Sequence, residues 1–309
     1  MMKKFIQVFL YLIASGLIIF NYSCTTCQGN QKNEENNIIN ADSSPIDEQL
    51  LDDFNKSKLI FYSLPSPLET AMLIKKSGAS YNNNLLNDLR NVSKYNTNLK
   101  MALNLGIYGA DMSYISLFDQ MQNTLSYMGV SRRLAEQLGI MGAIDENTIR
   151  KLETNMNDRD VIMDIISETF MNSNAYLTEN DRPAIAVMVL VGGWIEGIYI
   201  ASQLANNSVT ENPVLIDRII YQKLSLQTVL SLLETHQSNT DIVYLIERMN
   251  QLKVIFDEIK IVNKSVPEVE TIPDQQMTII RSEAETHITQ EIFEKLVNKI
   301  AEIRTEFIS

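Results

Sequence analysis

Six side chains in this sequence stand where they could do chemistry. Asn104, Tyr108 and Asp111 fall at i, i+4 and i+7, and Tyr114 follows close behind. On a continuous helix that spacing puts the first three on one face. The four polar tips would then form a pocket able to hydrogen-bond a small ligand. The second set is Trp194 and Glu196, inside a segment that is otherwise apolar. A carboxylate on a buried helix can have a raised pKa and serve as acid or base. An enzyme made from these groups would run acid–base chemistry at Glu196 and Asp111, with the tyrosines nearby.

Each set also has a plainer reading, which the local pattern favours. Gly106 and Gly109 predict a helix break, with Asp111 capping the following helix. The tyrosines then fill core, their hydroxyls at its rim. Successive helix residues point apart, so Trp194 packs inward and Glu196 faces solvent or an arginine. The discriminator is spatial. Glu196 and Asp111 converging in one concave pocket favours the enzyme; their separation favours a non-catalytic binding or structural role.

Metal and cofactor patterns are missing. A di-iron bundle needs Glu-x-x-His twice, but Leu233 and Ala284 stand three before His236 and His287. Glu283, four before His287, makes a single pair at chance level. His236, near a helix end, fits an interaction with the helix dipole. The sequence contains no G-x-S-x-G, Walker A, G-x-G-x-x-G or H-E-x-x-H motif. The fourteen methionines lie mostly at apolar helical positions, as core filler. We therefore expect no metal and no cofactor.

Bulk composition narrows the field further. The 309 residues suffice for one large domain or two modest ones, and 45% are hydrophobic, enough for a sizeable core. Seven prolines and eleven glycines argue against a turn-rich all-β fold. The net charge is -12 with no basic stripe, so no nucleic-acid partner is expected. The same acidity disfavours contact with anionic headgroups, so any membrane attachment needs another source.

Both cysteines lie in "IIFNYSCTTC", residues 18 to 27. Lys3 and Lys4 precede a 16-residue apolar run, Phe5 to Phe20, and Ser23 precedes Cys24. This is the layout of a secretory signal peptide. The run is short against the roughly 20 residues of a comfortable span. A thioredoxin-like C-x-x-C needs a helix start within a βαβ unit, but Cys27 is followed by polar "QGNQKNEENN". A zinc site would need two further ligands. The third reading is lipid attachment, with Cys24 the preferred acceptor and Cys27 the alternative.

Ser23-Cys24 after an apolar segment resembles the lipobox of bacterial lipoproteins. Asn21 departs from that pattern, which usually has leucine or another aliphatic residue three before the cysteine. The resemblance implies cleavage after residue 23 and acylation of Cys24, with palmitate-type chains or a diacylglycerol. Two such chains hold a membrane stably where one is marginal. Thr25, where an inner-membrane protein of this class has aspartate, implies the outer membrane, on its periplasmic side or at the cell surface. "QKNEE", residues 31 to 35, is similar to the acidic export tags of Bacteroidota-type surface lipoproteins; it reads equally as a solvated linker. "FYSLPSPLETAMLIKKSGASY" and "LNLGIYGADMSY" are similar to uncharacterised Bacteroidota-type lipoproteins, which implies no activity. The partners expected are the membrane, through the anchor, and an envelope protein or small ligand.

The elements that must position the candidate residues read as all-α, a multi-helix bundle. We divide the chain into a signal peptide (1–23), a flexible polar tether (24–52), a helical bundle (53–263), a linker (264–288) and a C-terminal amphipathic helix (289–309). The fold is expected to start near Phe54, with a helix at Ser66-Pro67 capped by Ser66 and Glu69. Leu99, Leu103, Ile107 and then Met112, Ile115, Phe118, Met121, Leu125 step by three or four. Shorter helices are expected at 132–138, ended near Gly139 or Gly142, and at 146–156. Val161, Ile165, Ile166 and Phe170 mark the next. "TENDRP" and "TENP" predict two helix starts capped by Thr178 and Thr210. Further helices are predicted to about Thr235 and over 240–262. "KSVPEVETIPDQQ" has no period, and "MTIIRSEAETHI" is open to extended structure. Residues 183–205 are apolar enough to suggest a membrane helix, but mid-span Glu196 and the lack of basic flanks beyond Arg182 favour a buried central helix. Gly192, Gly193 and Gly197 would let its neighbours approach closely. A scaffold subunit would instead expose an apolar patch on the helix after Thr289.

Overall fold

Proline opens the first helix: α1 is Pro67–Lys76, where the missing N–H costs nothing. The computed structural model describes residues 67–141, 150–151, 154–155, 158–180, 182–205, 209–210, 212–263, 268–272, 277–281 and 284–309. The signal segment, Cys24, the tether, the expected start near Phe54, the Ser66 cap and most of the helix expected at 146–156 lie outside them. The described elements fall within one compact unit, Asp47–Ser309.

A loop with two 3-10 turns, Asn83–Leu85 and Leu89–Lys94, leads into α2, Asn98–Leu117. Thr97 caps α2 by accepting the Lys100 N–H at 3.2 Å. The break expected at Gly106 and Gly109 does not occur, and Asp111 caps nothing: α2 runs unbroken for 20 residues. The chain turns instead after Phe118, where Asp119 adopts φ 58°. The glycine at 106 serves packing, not a turn. A Cβ there would lie under 3.0 Å from the Val189 carbonyl, and one on Gly192 would strike the Leu103 carbonyl equally closely.

Helix α3, Met121–Gln137, absorbs the short helix expected at 132–138. It ends at Gly139, φ 69°, as expected. The Gly139 N–H bonds Glu136 O at 3.0 Å and the Ile140 N–H bonds Ala135 O at 2.9 Å, a Schellman stop. Helix α4 is Arg159–Glu179, capped by Asp158. Its Ile162, Ile165 and Ile166 meet Met112, Met121 and Met128 in a small core of their own.

Helix α5, Pro183–Leu204, is the apolar segment, and α6 is Pro213–Glu234. Neither uses the threonine cap expected. Thr178 lies within α4, and Arg182 precedes α5 without a side-chain cap. Asn212 caps α6, accepting the Leu215 N–H at 3.2 Å. Proline sets the first helical position, so the cap must be the residue directly before it, and the threonines are too early. Helix α7, Thr240–Asp257, stops short of Val262 because β1, Lys260–Asn263, begins there.

Strand β2 (Glu268–Ile272) lies in the stretch expected to have no regular structure, while β3 (Met277–Arg281) and β4 (Ala284–His287) lie in "MTIIRSEAETHI", which was open to extended structure. Lys260 pairs with His287 and Glu268 with Arg281, both antiparallel, in two separate two-stranded sheets, β1–β4 and β2–β3. Pro267 and Pro273, on either side of β2, hid its alternation. Helix α8, Gln290–Ile308, closes the chain, with Thr289 accepting the Ile292 N–H at 3.2 Å.

The fold is all-α, a helical bundle. Its centre is α5, packed by α1, α2, α4, α6 and α8. It is long and apolar enough to cross a membrane by composition, yet most of it is buried in protein. The apolar face of α8, from Phe293 through Leu296, Ile300 and Ile303 to Phe307, is buried too. The exposed patch that a scaffold subunit would show after Thr289 is therefore absent there, because that face completes the core. On the outer side of α8, Glu306 accepts from Arg248 Nε at 2.7 Å and Tyr244 OH at 2.9 Å, tying it to α7.

Candidate functional site

The unbroken α2 puts Asn104, Tyr108 and Asp111 on one face, and each is fully buried. The polar loop before α2 lies over them. Asn87 is its hub. Its side-chain amide donates to Asn104 Oδ1 at 3.1 Å and to Tyr95 OH at 3.0 Å, while its backbone N–H donates to Asp111 Oδ2 at 3.1 Å. Tyr127 OH of α3 donates to the Asn87 carbonyl at 2.9 Å, and Tyr108 OH to that of Asp88 at 3.0 Å. Tyr114 pins the start of the loop, accepting the Asn82 N–H at 2.9 Å and stacking on Tyr81 with ring centroids 5.4 Å apart. Burial pushes the Tyr108 and Tyr127 hydroxyls above their ordinary pKa, with nearby Asp111 adding to the rise, so both remain donors.

The second half of the cluster comes from α5 and α8. Arg304 Nε and Nη2 donate to the two Glu196 oxygens at 2.9 and 3.0 Å, a bidentate pair. Arg304 Nη2 also reaches the Leu85 carbonyl at 3.1 Å, and the guanidinium lies 4.6 Å from the Tyr199 ring centroid. Glu196 is 0% exposed and Arg304 7%. Burial opposes the Arg304 charge, but the Glu196 carboxylate outweighs it and holds the guanidinium above its usual range. The arginine expected beside Glu196 is thus present; the solvent is not.

The C-terminal end of α8 completes the arrangement. A helix end leaves carbonyls without intrahelical donors. Asn104 Nδ2 donates to Phe307 O at 2.8 Å, Tyr95 OH to Ile308 O at 3.3 Å, and Lys100 Nζ to Ser309 O at 2.7 Å. The ammonium of Lys100 also suits the negative end of the helix dipole.

Four of the six expected residues, Asn104, Tyr108, Asp111 and Glu196, therefore meet in one cluster. Tyr114 holds one edge of it. Trp194 belongs elsewhere: its Nε1 donates to Gln222 Oε1 of α6 at 3.0 Å. These two residues sit equally far from the connection between α5 and α6, as in an antiparallel hairpin. Sequence reasoning missed Asn87, Tyr95, Tyr127 and Arg304. Only Arg304 left a signal, as the one basic residue on the apolar face of α8.

Chemically, the cluster can hold charge and position backbone, and its carboxyls are closed off from solvent. Asp111 and Glu196 converge, but inside packed protein, with 0% exposure each. Among the described residues no three His, Cys, Asp or Glu side chains gather to hold a metal ion. Asn87→Ala is expected to lower stability by about 2–3 kcal/mol, because it leaves the buried Asn104 Oδ1 without its donor. Urea unfolding followed by the fluorescence of Trp194, the single tryptophan, checks this. A loss under about 0.5 kcal/mol, the size of an ordinary surface change, would remove Asn87 from its place as hub. No protein-family model, no curated protein and no solved structure matches the chain.

Proposed function

We propose that this chain is a lipoprotein of the outer membrane, anchored by acyl chains on Cys24, whose helical domain has a non-catalytic binding or structural role. The observation that carries the non-catalytic reading is the enclosure of the acid–base candidates. Asp111 and Glu196 are buried, and the groups around them are bonded to loop, helix and helix end. Their polarity serves to join elements, leaving the outer faces of the bundle for a partner protein or a small ligand of the cell envelope. The lipid anchor rests on Ser23-Cys24 after the apolar run, and it supplies the attachment that an acidic surface does not.

The test is metabolic labelling with a fatty-acid analogue in wild type and Cys24→Ala, followed by protease shaving of whole cells. Label in the wild type and none in the variant is expected. Digestion in intact cells places the domain at the surface; protection places it on the periplasmic side. A mature chain that keeps its first twenty residues, or equal label in both proteins, overturns the proposal.

A further inference from the structure

Three ionisable side chains meet where α2, α5 and α8 pack, and their charges do not balance. Two carboxylates, Asp111 and Glu196, share one guanidinium, Arg304, and both carboxylates have 0% exposure. Arg304 makes its two side-chain ion-pair bonds to Glu196. Asp111 receives one hydrogen, from the Asn87 N–H to Oδ2. Its other oxygen, Oδ1, has no donor and no solvent. The Glu196 carboxylate beside Asp111 raises its pKa, and as a carboxylate has no hydrogen to give. Both ionised, the pair would leave a net negative charge in the core and an unsatisfied acceptor, each costly. One hydrogen on Asp111 removes both deficits. It makes the cluster neutral and turns Oδ1 into a donor.

We propose that folding captures a proton at Asp111, held between its Oδ1 and the Glu196 carboxylate, so that the seat of α8 on the bundle weakens in alkaline solution. The groups facing Asp111 from its surroundings are Tyr108 of α2, Tyr127 of α3, Tyr199 and Glu196 of α5, Arg304 of α8, and Tyr81 of the loop. Burial raises all four tyrosine hydroxyls, which stay neutral. Among these described residues Arg304 is thus the one cation, and Glu196 has claimed it.

The direction of the pH effect follows from linkage. Burial and then the Glu196 charge raise the Asp111 carboxyl well above its ordinary range, against the smaller pull of Arg304 and Asn87. In the unfolded chain it titrates near about 3.9. The folded state therefore binds the proton more tightly. The stability it contributes is complete below that unfolded value and is lost as pH rises through the raised folded value. Between the two, the unfolding constant climbs about tenfold per pH unit from this group alone.

The variant that isolates this group is Asp111→Asn. Its amide is neutral at every pH and can donate to Glu196, so it imitates the protonated acid. Urea unfolding of the full chain, followed by Trp194 fluorescence from pH 5 to pH 10, is expected to show the wild type losing stability relative to Asp111→Asn as pH rises, by that tenfold factor per unit until the raised folded value is passed. Parallel curves overturn the proposal. Infrared spectra of folded wild type carrying carboxyl-labelled aspartate provide a second readout, independent of any variant. A protonated carboxylic C=O band at pH 7 that fades on alkalinisation supports the captured proton. Carboxylate bands alone at pH 7 refute it.

Discussion

Arg304→Met is expected to lower the stability of the bundle by about 3–5 kcal/mol, the usual cost of removing one partner of a buried ion pair. The substitution keeps most of the side chain's length and apolar contact. What it removes is the counter-charge of Glu196, the donor to Leu85 O, and the cation over Tyr199. Glu196 sits in mid-helix on α5 with no water to solvate it, so its charge is left without compensation. Arg304→Lys keeps a charge but loses the planar fork, and should recover only part of the loss. The decisive comparison is the double variant Glu196→Gln/Arg304→Met. With both charges gone, the desolvation cost goes too, and the double variant should be more stable than Arg304→Met alone. Urea unfolding curves of wild type, the single variants Glu196→Gln and Arg304→Met, and the double variant provide the coupling. If Arg304→Met costs less than about 1 kcal/mol, as exposed ion pairs do, the pair is not what seats α8.

Gly106→Ala and Gly192→Ala form the second large prediction. Each added methyl would meet backbone carbonyl atoms of the facing helix, Val189 for one and Leu103 for the other. Backbone cannot rotate aside as a side chain can, so α2 and α5 must move apart. Overpacking of a core typically costs about 1–3 kcal/mol, and a backbone collision belongs at or above the top of that range. Gly109→Ala is the control on the same helix. A Cβ there meets nothing within 4 Å, so helix propensity alone acts, and the change should stabilise by about 0.5–1 kcal/mol. Thermal or urea unfolding of the three variants checks the pattern. Equal effects at positions 106 and 109 would falsify the close crossing.

These glycines also show how far a sequence can be read. Gly106 and Gly109 look alike in one dimension, three apart and followed by an aspartate, and that pattern ordinarily marks a helix boundary. In three dimensions one is a contact point and the other faces open space. Gly192 was legible because mid-span Glu196 marked the apolar run around it as a buried central helix and not a membrane span. Its counterpart on α2 was not, because which two helices touch is not written in either one. The strand pairs β1–β4 and β2–β3 were hidden for a different reason. Strand pairing joins residues as far apart as Lys260 and His287, and the prolines between them read as a linker.

The candidate site divides in the same way. The spacing of Asn104, Tyr108 and Asp111 was visible as one helical face, and Glu196 as an anomaly in an apolar helix. Their shared surroundings were not visible, since Glu196 and Arg304 are separated by more than a hundred positions and Asn87 sits in an unpatterned polar loop.

By itself, the sequence determined the elements whose causes are local: helices with a 3.6-residue period, a proline near the starts of three of them at positions 67, 183 and 213, and one helix more apolar than the rest. Those signals act within about one turn of chain. Only the tertiary structure decided where charge goes, because a buried carboxylate is tolerated or not according to what packs against it. Here a helix from the far end of the chain brings the arginine that makes Glu196 tenable and leaves Asp111 in need of a hydrogen.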